Sequence, residues 1–243
     1  MSLVEEFRAL HHGRAPGDPL VLPGPWDAAS ARVFVDAGFP ALATPSAGVA
    51  ASLGYADGEV PPDEMFAAVA RIVRAVGGAV PVSADIEDGY GLTPRELVDR
   101  LLETGAVGCN LEDSASSGGA LRDPREQADR LAEVRSVAGR GLFINARVDT
   151  FIRGVADAGR AAVERARLYV EAGADCVYPI GAPPEALPAL RAGIEGPINV
   201  GAKPGSGPSL RELGSLGATR ITFGPGLQIR STEALREIAS RLG

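Results

Sequence analysis

Cysteine and histidine are scarce in this chain, two of each, and it has neither surplus positive charge nor a long apolar run. Each shortage removes a class of function. Cys109 and Cys176 both lie inside apolar stretches, which fits small buried hydrophobes in a reducing compartment and argues against a disulfide framework. His11 and His12 stand together near the N-terminus, where a mobile or solvated pair is expected, so a zinc site has no ligands to draw on. A formal net charge of −7 argues against nucleic acid as a partner, because neutralising phosphates takes a clustered excess of Lys and Arg. No window approaches the ~20 apolar residues of a membrane span. The opening MSLVEEFRALHHGRAPG carries Glu5, Glu6 and Arg8 where a signal peptide needs unbroken apolar sequence. No membrane partner and a cytoplasmic location are expected.

What the chain does have is a core-forming composition, 45% hydrophobic and 23% charged, and one repeated grammar: a short apolar run, a polar or glycine-rich corner, then apolar residues at helical spacing. Eight such units are legible. Their runs are Leu20 to Leu22, Ala41 to Thr44, Val80 to Ala84, Val107 to Leu111, Leu142 to Ala146, Cys176 to Pro179, Ile198 to Val200 and Ile221 to Phe223. Helices are expected over Asp27 to Ala37, Pro62 to Val76, Pro94 to Thr104, Pro124 to Val137, Ala156 to Ala172, Pro183 to Ala192, Ser209 to Leu216 and Ser231 to Leu242. Pro94 and Pro124 just inside a start, with Gly105 and Gly139 just past an end, carry the usual asymmetry of helix termini. Strict strand–helix alternation without an interior linker predicts an α/β protein, a single (β/α)8 TIM-type barrel over 1–243 with 1–19 as a helical extension. An open doubly wound sheet is the alternative.

In such a barrel the residues after each strand meet at one face, and here they are rich in carboxylates. Asp85, Glu87 and Asp88 follow the third run, Glu112 and Asp113 the fourth, and Arg147 and Asp149 the fifth. Asp85 and Glu87, two apart, share one side of an extended segment, and Glu112 comes from the next strand. Three converging oxygen ligands without Cys or His point to Mg²⁺, with Mn²⁺ as the alternative. Arg147 is read either as a carboxylate-recognising cation or as a structural partner of Asp149. The turn Thr44 to Gly48 offers a hydroxyl and backbone N–H groups to an anion, and the glycine-rich loops Gly201 to Gly207 and Gly224 to Gly226 occupy the phosphate-binding position of many barrels.

These segments resemble the isocitrate lyase and phosphoenolpyruvate mutase superfamily. The likeness runs from about Leu20 to the C-terminus and is most specific at Asp85-Ile86-Glu87-Asp88-Gly89-Tyr90-Gly91, with Asn110 to Asp113, Ala146 to Asp149, Ser46 to Gly48 and Leu53 to Asp57 in support. The resemblance implies an Mg²⁺ site at Asp85, Glu87 and Glu112, largely through water. It implies carboxylate binding by Ser46, Ala47 and Gly48 opposite Arg147, an aspartate near the metal at Asp57, and substrate contact at Asn199. Arg147, Asp57 and Glu112 then carry the catalysis, through the enolate of a 2-oxo acid. A carbon–carbon lyase acting on small 2-oxo or 2-hydroxy acids is implied, with an oxaloacetate-type hydrolase or decarboxylase, or a non-catalytic 2-oxo acid binder, as alternatives. The lyases' K-[KR]-C-G-H loop is replaced by Ser114 to Arg122, leaving Ser116, Ser117 or a water held by Asp57 as candidates for proton transfer. Ile180 and Gly201 stand where methylisocitrate lyases have a glutamate and a threonine. The resemblance further implies a homodimer or homotetramer exchanging the last helix, with Leu235, Ile238, Ala239 and Leu242 on the neighbouring barrel.

Overall fold

The computed structural model describes residues 1–115 and 119–242. Its strands are β1 Leu20–Val21, β2 Leu42–Ala43, β3 Val82–Asp85, β4 Gly108–Glu112, β5 Phe143–Val148, β6 Cys176–Pro179, β7 Asn199–Gly201 and β8 Arg220–Thr222. The helices are α1 Leu3–Leu10, α2 Ala28–Asp36, α3 Ser46–Leu53, α4 Pro62–Val76, α5 Pro94–Thr104, α6 Pro124–Ala138, α7 Ala158–Glu171, α8 Leu187–Gly193, α9 Leu210–Ser215 and α10 Gly226–Ala239. Every registered pair is parallel, in two arcs ordered β2-β3-β4-β5-β6 and β1-β8-β7. The arcs meet at both seams. The Val177 N–H donates to the Pro197 carbonyl at 3.1 Å beside a bridge to Ile198, and the Ala43 N–H donates to the Pro23 carbonyl at 3.1 Å. A proline cannot donate to a ladder, so regular pairing stops at each seam although the sheet closes around. The alternation of strands and helices thus builds the (β/α)8 barrel.

The helices begin where the local chemistry says they should. Thr93 and Glu96 form a reciprocal capping box ahead of Pro94, and Gly105 ends α5 at φ 80°. Asp123 accepts from the Arg125 and Glu126 N–H groups to open α6. Each cap satisfies donors that the first turn leaves free. Three expectations change. The segment from Ser46, expected as a turn, continues as α3, and the last helix starts at Gly226 rather than Ser231. The expected helix from Pro183 is a short 3-10 turn, Pro184–Ala186, running into α8.

The N-terminal helix closes the barrel floor, and here the expectation for His11 is overturned. Phe7 and His11 are both buried against Phe143. The two phenyl rings meet edge-on at 5.0 Å and the imidazole stacks at 4.1 Å. The His11 Nδ1–H donates to the Phe7 carbonyl at 2.7 Å. Arg8 fixes the helix from its other side, donating to Asp175 at 3.1 Å and to the carbonyls of Arg140 and Leu142 at 2.7 and 2.5 Å. A local polar pair gave no sign of this, because what buries His11 is the distant Phe143. His12 alone stays exposed. At the other end, Leu235, Ile238, Ala239 and Leu242 are exposed. Among the described residues no helix is long and apolar enough to cross a membrane.

Burial, followed by the charge of Arg220, lowers the His11 pKa to about 3. An unfolded imidazole titrates near ~6.5, so the unfolded chain takes up a proton that the folded chain refuses. The stabilisation from keeping His11 neutral is fully present above about pH 6.5 and is lost as pH falls toward the folded value, by up to about 1.4 kcal/mol per pH unit. Urea unfolding at about pH 7 and about pH 5.5 is expected to show this slope, and His11→Phe to flatten it. An unchanged slope in the variant would mean that other groups set the acid sensitivity.

Candidate functional site

Parallel register stacks the strand ends into layers. Asp85, Asn110 and Asn145 form one row and Glu112, Arg147 and Tyr178 the next. Above them opens a cavity of about 270 Å³ lined by Ser46, Ala47, Asp57, Asp85, Asn110 and Arg147, with Ile152, Tyr178, Ile180 and Pro225 forming an apolar side. A second recess of about 180 Å³ joins it, bounded by Asp57, Glu87, Glu112, Arg147 and Arg153. Arg147 and Asp57 face both.

Asp85 ends β3 and is held by α3, its Oδ2 accepting from the Ser46 hydroxyl at 3.1 Å and the Ser46 N–H at 3.4 Å. Burial raises its pKa, opposed by Arg147 and these bonds. Glu87 follows in a left-handed conformation, φ 52°, a strained state for a side chain with a Cβ. Its Oε1 is buried without a hydrogen-bond partner. Burial first, then Asp85, Asp57 and Asp88, push its pKa up to about 7. The loop is pinned from behind, where Arg130 donates to the Asp88 carbonyl at 2.5 Å and Arg122 to its carboxylate at 2.9 Å. A Cβ at Gly89 would sit 2.6 Å from the Arg130 guanidinium, so that position must stay a glycine.

Arg147 is clamped. Its Nε and Nη2 donate to the two Asp149 oxygens at 2.7 and 3.2 Å, and Nη1 pairs with Glu112. Burial works against its charge, but Glu112 and Asp149 outweigh it and raise the pKa. Burial likewise raises Glu112 despite the arginine. The structural reading of Arg147 with Asp149 therefore holds, while the same side chain still lines both cavities. Asp113, which the sequence grouped with the acidic cluster, points away from it and accepts from the Asp149 N–H, Arg165 and Tyr169 at 2.9 to 3.0 Å.

Other predicted residues are distributed unevenly. Ser46, Ala47 and Asp57 line the cavity, whereas Gly48 packs on Pro45. Asn199 is buried and bonded to Thr222 at 3.1 Å, and it is not among the lining residues. Ser116 and Ser117 lie outside the described residues. Cys109 and Cys176 are buried, their thiols pushed up to about 12 by that burial. Among the described residues no three Asp, Glu, His or Cys side chains converge closely enough to bind a metal directly. Glu112 pairs with Arg147, and the expected metal site at Asp85, Glu87 and Glu112 was one held largely through water. Asp85, Glu87 and Glu112 would hold a cation through its water shell, and the buried Glu87 Oε1, without a hydrogen-bond partner among the described residues, fits that arrangement.

Sequence reasoning missed Tyr178, Thr222 and Arg153. Tyr178 is legible in hindsight as the register partner of Arg147. Arg153 sits beyond the strand in an irregular loop, and no spacing announces it. The Tyr178 hydroxyl fills the space beside Gly201, where a Cβ would lie 2.9 Å from it.

A family profile described as phosphoenolpyruvate phosphomutase matches residues 7–242. The 2-methylisocitrate lyase of Halalkalibacterium halodurans is 31% identical over 236 residues, which cover 93% of this chain and 72% of that protein. A Burkholderia cenocepacia J2315 protein, described provisionally as a phosphonomutase, superposes with a TM-score of 0.90 at 40% identity over 99% of this chain and 98% of its own. Oxaloacetate acetylhydrolase in complex with oxalate superposes with a TM-score of 0.88 at 23% identity, covering 99% and 86% of the two chains, a likeness of fold.

The Gly201 contact yields a direct check. Gly201→Thr is expected to displace the Tyr178 hydroxyl and lower unfolding free energy by about 1–3 kcal/mol, an overpacking cost. Adding Tyr178→Phe should return part of that loss in a double-mutant cycle. Strict additivity would show that the two side chains do not compete for this space.

Proposed function

Since the chain belongs to the isocitrate lyase and phosphoenolpyruvate mutase superfamily, we propose that it is an Mg²⁺-dependent lyase that makes or breaks a carbon–carbon bond beside the enolate of a 2-oxo acid. The observation that carries this reading is a largely buried arginine presented to a small cavity whose other charged walls, Asp57 and Asp85, are carboxylates. Arg147 and the Ala47 N–H at the start of α3, beside the Ser46 that holds Asp85, bind the substrate carboxylate. Asp85, Glu87 and Glu112 hold hydrated Mg²⁺, with Mn²⁺ as the alternative. The bound ion supplies Lewis-acid polarisation of the oxo group. Asp57, facing both recesses, is positioned to hold a water at the mouth. The apolar side made by Ile152, Tyr178, Ile180 and Pro225 offers no partner for a third carboxylate, which speaks against a tricarboxylate substrate.

A second reading is hydrolysis or decarboxylation of an oxaloacetate-like acid. It is favoured by the thiols: both cysteines are buried away from the cavity, and Ser114 to Arg122 contains neither cysteine nor lysine. A non-catalytic 2-oxo acid binder remains the outcome if the pocket binds and nothing turns over.

Titration of pyruvate, oxaloacetate and 2-oxoglutarate by calorimetry, first with Mg²⁺ and then with EDTA, is expected to show metal-dependent binding. Turnover in the same mixtures separates lyase or hydrolase from binder. Asp85→Ala should lower metal-dependent turnover by about two orders of magnitude. Full turnover in that variant, or activity indifferent to EDTA, overturns the metal assignment.

A further inference from the structure

The segment between β5 and α7 sets two consecutive side chains of opposite character against the site. Ile152 faces the larger cavity and Arg153 the acidic recess. Of the two arginines lining these spaces, Arg147 is engaged by Glu112 and Asp149. Arg153 makes no ion pair among the described residues, although Asp57, Glu87 and Glu112 line the same recess.

Its guanidinium is nevertheless seated. The Nε–H donates to the Ser114 hydroxyl at 3.1 Å, which leaves the terminal nitrogens free of that bond. Behind them lies Gly119, at φ 70°, where any Cβ would collide with the guanidinium. A hydroxyl on one side and a bare backbone on the other hold a cation, without a close ion pair among the described residues, beside the space that Arg147 faces. Both come from the segment where the lyases carry their K-[KR]-C-G-H loop.

The geometry points to Arg153 as the recognition group for a second carboxylate, so that the substrate is a dicarboxylic 2-oxo acid held at one end by Arg147 and at the other by Arg153. This rests on the oxo-acid reading above and names its substrate class. With Nε engaged by Ser114, the edge formed by the two terminal nitrogens matches a carboxylate as a fork. Ile152 and Ile180 line the larger cavity, so a substituent directed toward them is uncharged and the charged arm is directed to Arg153.

The test compares oxaloacetate with 2-oxobutyrate, which has the same four-carbon skeleton without the distal carboxylate. Both are titrated with Mg²⁺ into the full chain and its Arg153→Gln and Arg153→Lys variants. The wild type is expected to prefer oxaloacetate by about ten-fold or more, as for one charge-assisted contact. Arg153→Gln should remove that preference while shifting 2-oxobutyrate affinity by no more than about two-fold, and Arg153→Lys should keep part of it. A preference that survives in Arg153→Gln, an equal loss for both ligands, or a wild type that binds both alike overturns the role of Arg153 and leaves the oxo-acid site standing. A wild type that binds neither ligand removes the oxo-acid reading, and this inference with it.

Discussion

Arg147 projects from β5 into a mouth lined with carboxylates, and it stays in place because Asp149 grips it through two nitrogens while Glu112 takes the third. Removing one partner from a buried pair of this kind typically costs about 3–5 kcal/mol, because it strands a charge away from water. The clamp is in turn held from outside the site. Asp113 accepts the Asp149 N–H and is itself held by Arg165 and Tyr169 of α7. One run of polar contacts thus connects a surface helix to the cation that faces the cavity. Asp113 belongs to that support, and its place beside Glu112 in the sequence is misleading: successive residues in a strand point to opposite faces.

The other half of the interior is polar for a different reason. Arg220 on β8 is fully buried, and its Nη2 donates to the Asn110 side chain at 3.5 Å. The Phe7 ring lies 5.9 Å from the guanidinium carbon. Burial lowers the Arg220 pKa, partly offset by Cys176, Tyr178 and Asp85. A cation inside the barrel, below a mouth rich in carboxylates, acts through a medium of low dielectric where charges are felt across several ångströms. The aromatic plug of Phe7 and His11 excludes water from beneath it, which is why an N-terminal helix outside the strand–helix alternation belongs to the architecture.

Much of this was legible because it is local. Prolines just inside helix starts, glycines after helix ends and apolar residues at helical spacing located α4, α5 and α6 to within a residue. Asp85, Glu112 and Arg147 were found because strand ends can be read from the pattern and barrel topology brings them together. What escaped depends on contacts between distant segments. The helix α3 has no side-chain cap at Pro45, so nothing in its opening distinguishes it from a turn. His11 looked like a solvated residue until Phe143 covered it. Asn199 sits in a predicted strand, yet its amide turns to Thr222, a choice that spacing cannot encode. Arg153 lies outside every periodic segment, and its seat depends on Ser114 and Gly119 from a different loop.

Charge around the mouth bears on what the site can hold. Asp57, Asp85, Glu87 and Glu112 face Arg147 and Arg153 across the two joined recesses, four carboxylates against two guanidiniums. Burial raises the pKa values of Asp85, Glu87 and Glu112, which works against their ionisation. A dianionic ligand entering this space would add to the repulsion, and unit charges about 4 Å apart interact by about 4 kcal/mol even at an effective dielectric constant of about 20. Each added anion would raise the carboxyl pKa values further and so oppose ionisation of the same carboxylates that a cation needs. A divalent cation at the mouth would meet both demands together. It would favour the ionised carboxylates and offset the incoming anion, so that cation and substrate would each lower the cost of admitting the other. The partnerless Glu87 oxygen and the arginine without an ion pair are the two ends of that same imbalance.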